Sequence, residues 1–295
     1  MTATTTHGRA EALAATLPAL QIEAERVAAT VAQGVHGRRR VGVGESFWQF
    51  RPYEPGDPVQ RIDWRQTAKR DRPFLRQLEW EASQTAYLWR AVDDGFRWHS
   101  SDAVPTKIER ADLLLLALAS LLNRAGERVA LLDGEAPPGL GRTDIGKLAL
   151  DLMRPPTETS SKSADLPPQR SIQAHSSMVL FADWLAPLEA IENALAPFQA
   201  KVEQGHLVQI LDPAEVDLPY DGRIRFTSFR EEPALTMARV DTIRQAYQER
   251  LSAQQDGLRA LAQAAGWRLH LHRTDQPPER ALLAIFQSLA DATSG

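Results

Sequence analysis

The chain has 295 residues, of which 43% are hydrophobic, and a formal net charge of −4. This length predicts one large or two ordinary domains, with enough apolar residues for a sizeable core. There is no cysteine, which excludes disulfides, thiolate metal sites and cysteine nucleophiles. No apolar run approaches the roughly 18 residues of a membrane helix. The polar start also lacks the apolar region of a signal peptide, so we expect a cytoplasmic protein without a membrane segment.

The first third of the chain is predicted to hold one helix followed by short strands. Residues 18–33 carry apolar side chains at helical spacing and end before a glycine. Residues 38–81 have short aromatic and β-branched runs broken by glycine and proline, which favours two or three strands. The segment 38–76 holds ten Arg or Lys against five acids. Because the acids are interleaved with the basic residues, we do not expect it to bind nucleic acid.

From residue 85 onward, strand and helix patterns alternate. A capping box at Thr106 and Glu109 predicts the start of one long helix, and Thr143 or Asp144 is the predicted cap of the next. Strands are predicted over residues 85–92, 128–132, 178–182, 207–211 and 268–272. This alternation predicts an α/β fold with a doubly wound, mostly parallel sheet. We therefore divide the chain into an N-terminal helix-plus-β module, residues 1–84, and an α/β domain, residues 85–295.

Four of the five predicted strands are followed closely by an aspartate. These residues are Asp93, Asp133, Asp183 and Asp212. Ligands of open α/β sheets bind at the carboxyl ends of the strands, although aspartate is also common there as a turn former and helix cap. Asp93 and Asp183 together are better candidates for one rim than either aspartate alone.

Residues 47–81 mix aromatic, charged and turn-forming side chains in a way that a simple hydrophobic core does not require. The block fits either a structural corner with satisfied polar groups or a docking surface. Within this block the characteristic residues are Arg51, Tyr53, Gly56, Asp57, Asp63 and Trp64. In these residues the block resembles the signature of the domain of unknown function 58 family.

The resemblance implies a von Willebrand A-like domain over residues 85–295. Members of that family look like adaptors for client proteins that work with MoxR-type AAA+ ATPases, rather than like enzymes. Von Willebrand A-like domains often carry a metal-ion-dependent adhesion site. That site uses an Asp-x-Ser-x-Ser motif, a later threonine and a further aspartate to hold Mg²⁺ through oxygen ligands.

The adhesion-site motif is incomplete in this chain. Asp93 matches its first position, but the two serines are replaced by Gly95 and Arg97. Thr143 and Asp183 match the later threonine and aspartate. Since two oxygen ligands are missing, we predict a degenerate site that binds no metal, and we expect no cofactor, Mg²⁺ included. The guanidinium of Arg97 would then replace the cation by pairing with Asp93 or Asp183.

These observations predict a non-enzymatic, protein-binding adaptor that acts with a MoxR-type AAA+ ATPase in the assembly or maturation of a complex. The alternative is a metal-dependent hydrolase that uses the strand-end aspartates, which would turn over a phosphoester or peptide with Mg²⁺ or Mn²⁺. A weaker alternative is nucleic-acid binding by residues 38–76, with a steep dependence on salt.

Overall fold

The structure is a computed structural model. It describes residues 18–32, 47–53, 67, 73–78, 84–153, 165–227 and 234–292. The chain forms two compact units. The larger unit combines Met1–Gly37 with Gln84–Gly295, and the smaller unit is Arg38–Ser83. This division differs from the predicted one at a single element, because the N-terminal helix belongs to the larger unit.

The larger unit is built on a five-stranded parallel sheet, which confirms the predicted α/β class. Its strands are β3 Thr85–Arg90, β4 Arg128–Leu131, β5 Ser176–Ala182, β6 Val202–Leu211 and β9 Arg268–Arg273. Their spatial order across the sheet is β4, β3, β5, β6, β9. All seven residues of the central strand β5 are buried, as expected for a parallel strand that is covered on both faces.

Seven α-helices lie in the part of the chain that the structure describes. Their bounds are α1 18–32, α2 Lys107–Arg124, α3 Arg142–Leu152, α4 Leu188–Gln199, α5 Pro213–Asp217, α6 Arg244–Ala264 and α7 Pro278–Ala292. Helix α2 contacts both α3 and α7, whereas α4 contacts α6. A short hairpin of β7 (Ile224–Phe226) and β8 (Leu235–Met237) and a 3-10 turn (Val240–Thr242) precede α6.

Helix α2 is the central helix of the larger unit. Leucine and alanine occupy most positions from Leu113 to Leu122 on every side of the helix, and all of these residues are buried. A helix that is apolar all round needs cover beyond the sheet. Helix α1 supplies part of that cover, with Val27 and Ala28 fully buried in the same core. Ser120 Oγ donates a hydrogen bond to Glu25 of α1 at 2.7 Å, and Arg124 forms an ion pair with the same carboxylate.

The connection from β4 to α3 reverses direction before the helix begins. Gly139 pairs with Val129 in an antiparallel bridge, so the chain runs back along β4 towards the amino ends of the strands. Both backbone groups of Gly141 then bond the side chain of Asn123, at the carboxyl end of α2. Helix α3 begins at Arg142, with Gly141 as its N-cap. The predicted cap at Thr143 or Asp144 is therefore wrong.

The smaller unit contains an antiparallel pair, β1 (Phe47–Pro52) with β2 (Phe74–Leu78), in which Phe50 lies opposite Arg76. The backbone amide of Tyr53 extends the pairing by donating to the carbonyl of Pro73 at 2.8 Å. Arg51 lies in β1. The other signature residues lie outside the described residues, namely Gly56, Asp57, Asp63 and Trp64.

One glycine of the sheet is required by a close approach of an indole ring. A Cβ placed on Gly205 in β6 would overlap the fused ring of Trp267, which is 3% exposed. We expect Gly205→Ala to lower the free energy of unfolding by about 1–3 kcal/mol, because a rigid ring and a sheet backbone must separate. Denaturant unfolding measures this loss. The matched control is Gly146→Ala in α3, where a Cβ meets nothing within 4 Å, so that its stability stays equal or rises slightly.

Candidate functional site

The strand order creates a crevice at the carboxyl ends of β3 and β5. The chain leaves β3 towards β4 on one side and later returns to β5 on the other, so the connections diverge between these two strands. Such a switch point is where doubly wound sheets bind ligands. Asp93 follows β3 and Asp183 follows β5 directly, and their charges are close enough to influence each other. Asp93 and Asp183, the two aspartates predicted to share one rim, therefore follow neighbouring strands of the sheet.

A buried lysine lies at this rim. Lys107 is the first residue of α2, and its side chain is 1% exposed. Its Nζ donates to Asp183 Oδ2 at 3.1 Å and to Glu215 Oε1 at 2.6 Å. The ring of Phe96 lies 5.9 Å from the ammonium. Three separate parts of the chain therefore surround one positive charge, and two of them contribute a carboxylate.

Lys107, Asp183 and Glu215 form a buried salt-bridge network. Burial lowers the pKa of Lys107, but the charges of Asp183 and Glu215 outweigh burial, so that the pKa is raised and the ammonium persists. Burial raises the pKa of Glu215, while Lys107 acts in the opposite direction. Buried ions need this kind of mutual pairing to offset their loss of water.

Asp93 is held differently from Asp183. Its Oδ1 accepts a hydrogen bond from the backbone amide of Phe96 at 3.1 Å, which closes the turn after β3. Its Oδ2 is buried and accepts no hydrogen bond from the described residues. Burial raises the pKa of Asp93, the charge of Asp183 raises it further, and the Phe96 amide lowers it. Asp93 is therefore the rim carboxylate with unused acceptor capacity.

A fourth strand-end carboxylate fixes the surrounding loops. Asp212 is fully buried after β6 and caps α5 through the amide of Ala214 at 2.8 Å. Its second oxygen accepts from the backbone amide of Ser100 at 2.9 Å. Glu215 completes the capping box by accepting from the Asp212 amide at 2.8 Å through the oxygen that Lys107 does not use. Asp212 is thus a structural residue, as expected of an aspartate at a helix cap.

The backbone beyond Asp183 is held in an unusual conformation. Trp184 has a φ of 53°, in the left-handed region that non-glycine residues rarely occupy. Its buried indole donates to the carbonyl of Val208 at 3.2 Å, and Gln209 donates to the carbonyl of Asp183 at 2.7 Å. Strained backbone of this kind persists where the surroundings determine it fully, often at functional sites. The contacts of Trp184 and Gln209 therefore fix the backbone that carries the Asp183 carboxylate.

Arg97 is not the cation that pairs with the rim aspartates, which corrects the sequence-based hypothesis. It is exposed, and the carboxylate that its charge influences is that of Asp112. The partner of Asp183 is Lys107, fourteen positions after Asp93 in the sequence. The signal for Lys107 was a lysine at the first position of a helix whose body, from Leu113 to Leu122, is almost entirely apolar. Gly95 lies in the turn after Asp93, as the motif alignment places it.

Thr143 lies far from the rim. It belongs to the first turn of α3, next to Gly141, which bonds Asn123 at the opposite end of α2 from Lys107. With a rise of 1.5 Å per residue, sixteen residues of helix separate these two ends by roughly 24 Å. The reversal of the chain along β4 is the physical reason, because it moves the start of α3 to the amino ends of the strands.

The residues of the rim do not fit a divalent cation held in the manner of an adhesion site. Glycine and arginine replace both serine ligands, and the ammonium of Lys107 contacts Asp183 where a cation would need that oxygen. Across the described ranges, no cluster of three or more His, Cys, Asp or Glu is arranged to hold a metal ion. The positive charge at this rim is supplied by the chain itself.

Comparison with known proteins identifies the family. A family model described as "Protein of unknown function DUF58" matches residues 49–257, so the chain belongs to the DUF58 family. Uncharacterised proteins of Mycobacterium bovis and Mycobacterium tuberculosis are each 27% identical to it over 230 residues, which is 72% of this chain and 69% of theirs. The predicted family is thereby confirmed.

Two solved structures are similar to parts of the chain. One is the conserved hypothetical protein BatB of Bacteroides thetaiotaomicron, with a TM-score of 0.39 and 15% identity, covering 72% of this chain and 100% of that one. The other is an aerotolerance-related membrane protein of Bacteroides fragilis, with a TM-score of 0.37 and 13% identity, covering 71% and 100%.

The cytoplasmic location predicted from the sequence is corrected and not retained; one of the two similar structures is that of a membrane protein. The prediction depended on missing apolar segments, and a missing segment does not establish a compartment. Within the ranges that the structure describes, every helix is too short or too polar to cross a bilayer.

Proposed function

We propose that this protein is a non-enzymatic adaptor whose von Willebrand A-like domain binds other proteins at the rim formed by Asp93, Gly95, Arg97 and Asp183. It acts with a MoxR-type AAA+ ATPase in the assembly or maturation of a complex. Membership of the DUF58 family and the position of the rim at the switch point of the sheet support this proposal.

The observation that carries the proposal is the internal pairing of the rim. Lys107 engages Asp183 and Glu215, while Asp212 is engaged by two backbone amides. Groups that are fixed in this way suit a rigid surface better than proton transfer, since a catalytic acid or base must exchange protons with a substrate. Arg97 is exposed in the turn beside Asp93, and arginine is enriched in protein interfaces.

The proposal is tested with the purified full chain and the purified MoxR-type ATPase of the same organism. Binding is measured by biolayer interferometry with ATP and with ADP. We expect Arg97→Glu to weaken binding at least about tenfold, equivalent to about 1.4 kcal/mol, because it reverses an exposed charge at the rim. Arg259→Glu makes the same charge change on the exposed side of α6 near the amino ends of the strands, and it should leave the affinity unchanged.

The adaptor function would be contradicted if the protein did not bind the ATPase with either ATP or ADP. It would also be contradicted if Arg97→Glu and Arg259→Glu weakened binding equally.

The alternative of a metal-dependent hydrolase is favoured by the state of Asp93, whose pKa is raised and whose Oδ2 accepts no hydrogen bond from the described residues. It predicts turnover of a phosphoester or peptide with Mg²⁺ or Mn²⁺, abolished by Asp183→Ala. Turnover assays with the same preparations separate the two functions.

A further inference from the structure

We infer that the ammonium of Lys107 is a permanent internal replacement for a divalent cation at this rim, so that partner binding there is independent of metal ions. The role of the rim in partner binding is the proposed function, on which this inference depends. The replacement itself concerns only side chains of the larger unit and can be examined without any partner.

The ammonium has the surroundings that a bound cation would have. Asp183 lies 76 positions from Lys107 and Glu215 lies 108 positions from it, yet both carboxylates are within hydrogen-bond distance of Nζ. The two carboxylates follow neighbouring strands, β5 and β6. A positive centre that joins the ends of two strands to the start of a helix performs the structural task of a metal ion, which is to hold converging carboxylates together.

The lysine is also fixed so that it cannot leave easily. The side chain of Thr106 accepts from the amide of Glu109, and Glu109 bonds the Thr106 amide in return, which anchors the first turn of α2. The amide of Ile108 donates to the carbonyl of Phe96 at 2.9 Å. The Lys107 side chain is 1% exposed, against 16% for Asp183 and 18% for Glu215. A metal ion from solvent could bind the two carboxylates only by displacing the Lys107 ammonium, which is almost inaccessible to solvent.

Burial of the ammonium excludes one mode of recognition. In a metal-dependent adhesion site, an open position of the cation accepts a carboxylate from the partner. Lys107 offers no comparable position, because its accessible surface is nearly zero and its ammonium is already paired with two carboxylates of the same chain. Chelation of metal ions therefore leaves partner binding unchanged.

The test follows thermal unfolding of the full chain in MgCl₂ or MnCl₂, with NaCl of equal ionic strength as the reference. Lys107→Met leaves Asp183 and Glu215 without their cation, so we expect Tm to fall by roughly 10 °C. Divalent cations should restore at least half of this loss, while Tm of the natural chain should not respond. In the triple variant with Asp183→Asn and Glu215→Gln added, the response to cations should disappear.

Two results would overturn the inference. One is stabilisation of the natural chain by Mg²⁺ or Mn²⁺ that Asp183→Asn removes. The other is a folded Lys107→Met variant that ignores divalent cations. If that variant does not fold, Lys107→Met combined with Glu215→Gln removes one charge of each sign. Divalent cations should still raise the Tm of this double variant, by a smaller amount because only the Asp183 carboxylate of the pair remains. If the protein fails to bind the ATPase, only the proposed function is refuted. The inference about Lys107 is tested separately, because the thermal-unfolding measurements contain no partner protein.

Discussion

Arg90→Met is expected to lower the free energy of unfolding by about 3–5 kcal/mol at pH 8, the loss typical of a buried ion pair from which one partner is removed. Arg90 ends β3, and its side chain is 7% exposed. Its Nε donates to Asp112 of α2, and its Nη2 donates to the carbonyl of Leu152 at 2.7 Å. The variant leaves the Asp112 carboxylate in the core without its cation.

The stability lost in Arg90→Met should depend on pH, because the protonation of Asp112 determines whether an unpaired charge remains in the core. Burial raises the pKa of Asp112 from 3.8 to about 6, even though Arg90 acts to lower it. Removal of Arg90 therefore raises this pKa further. A carboxyl whose folded pKa is raised favours folding below that pKa and loses this advantage as the pH rises through it. We expect the variant to lose less stability at pH 5, where Asp112 is protonated, than at pH 8.

Guanidinium chloride unfolding at the two pH values measures the effect. The control is Arg90→Met combined with Asp112→Leu, which removes both charges and should recover most of the stability, since an apolar pair can replace a buried ion pair. An equal loss at pH 5 and pH 8 would indicate that the carbonyl of Leu152, rather than the charge of Asp112, accounts for the effect of Arg90.

Two buried cations, Arg90 and Lys107, thus connect helix α2 to the carboxyl ends of the strands. Each belongs to a different element, and each pairs with a carboxylate that is distant in sequence. The apolar body of α2 fixes the depth of the helix in the core, and the two ion pairs fix its start relative to the sheet. The rim is rigid because its charges are part of the packing of the central helix.

The elements of the larger unit could be predicted from the sequence because the signals for them are local. The capping box at Thr106 is present as predicted, and the strand and helix patterns after residue 85 correspond to elements of the structure. The adjacency of Asp93 and Asp183 followed from a general rule, that the carboxyl ends of parallel strands meet at one edge.

The composition of the rim could not be predicted in the same way. Lys107 reaches Asp183 and Glu215 only through the fold, across separations that no spacing rule covers. The misplacement of Thr143 arose from the antiparallel return at Gly139, a backbone bridge that leaves little trace in side-chain patterning. The motif comparison predicted a positive charge beside Asp183, but three-dimensional contacts were needed to identify Lys107 as the residue that supplies it.

Acid is expected to destabilise the larger unit through three histidines of strands β6 and β9. His206 Nδ1 and His270 Nε2 lie 3.0 Å apart, so that one donates to the other, and His272 is buried further along β9. Burial lowers the pKa of His206 to about 3 and those of His270 and His272 to about 4. All three remain neutral in the folded protein at pH values where the unfolded chain binds protons.

The direction of the effect follows from this difference. Between pH 6.5 and about 4 the unfolded state binds more protons, so stability falls as the pH falls. A histidine whose pKa drops from 6.5 to about 4 accounts for about 3 kcal/mol of this loss. Asp112 acts in the opposite sense, because it takes up a proton in the folded state from about pH 6 downward. Burial also raises the pKa values of Asp93, Asp133 and Glu215, so these carboxyls act in the same sense as Asp112. The shifts of the three histidines are larger, so we still expect a net loss of stability by pH 4.

Urea unfolding at intervals from pH 7 to pH 4.5 measures the slope of stability against pH. His272→Gln removes one titrating group from β9, and the slope should decrease by up to about one proton. Asp112→Asn is the matched control with the opposite sign, because it removes the carboxyl whose pKa burial raises to about 6 and should make the slope steeper. If the profiles of the natural chain and His272→Gln run parallel, the imidazole of His272 is protonated in the folded state, and burial in β9 does not keep it neutral.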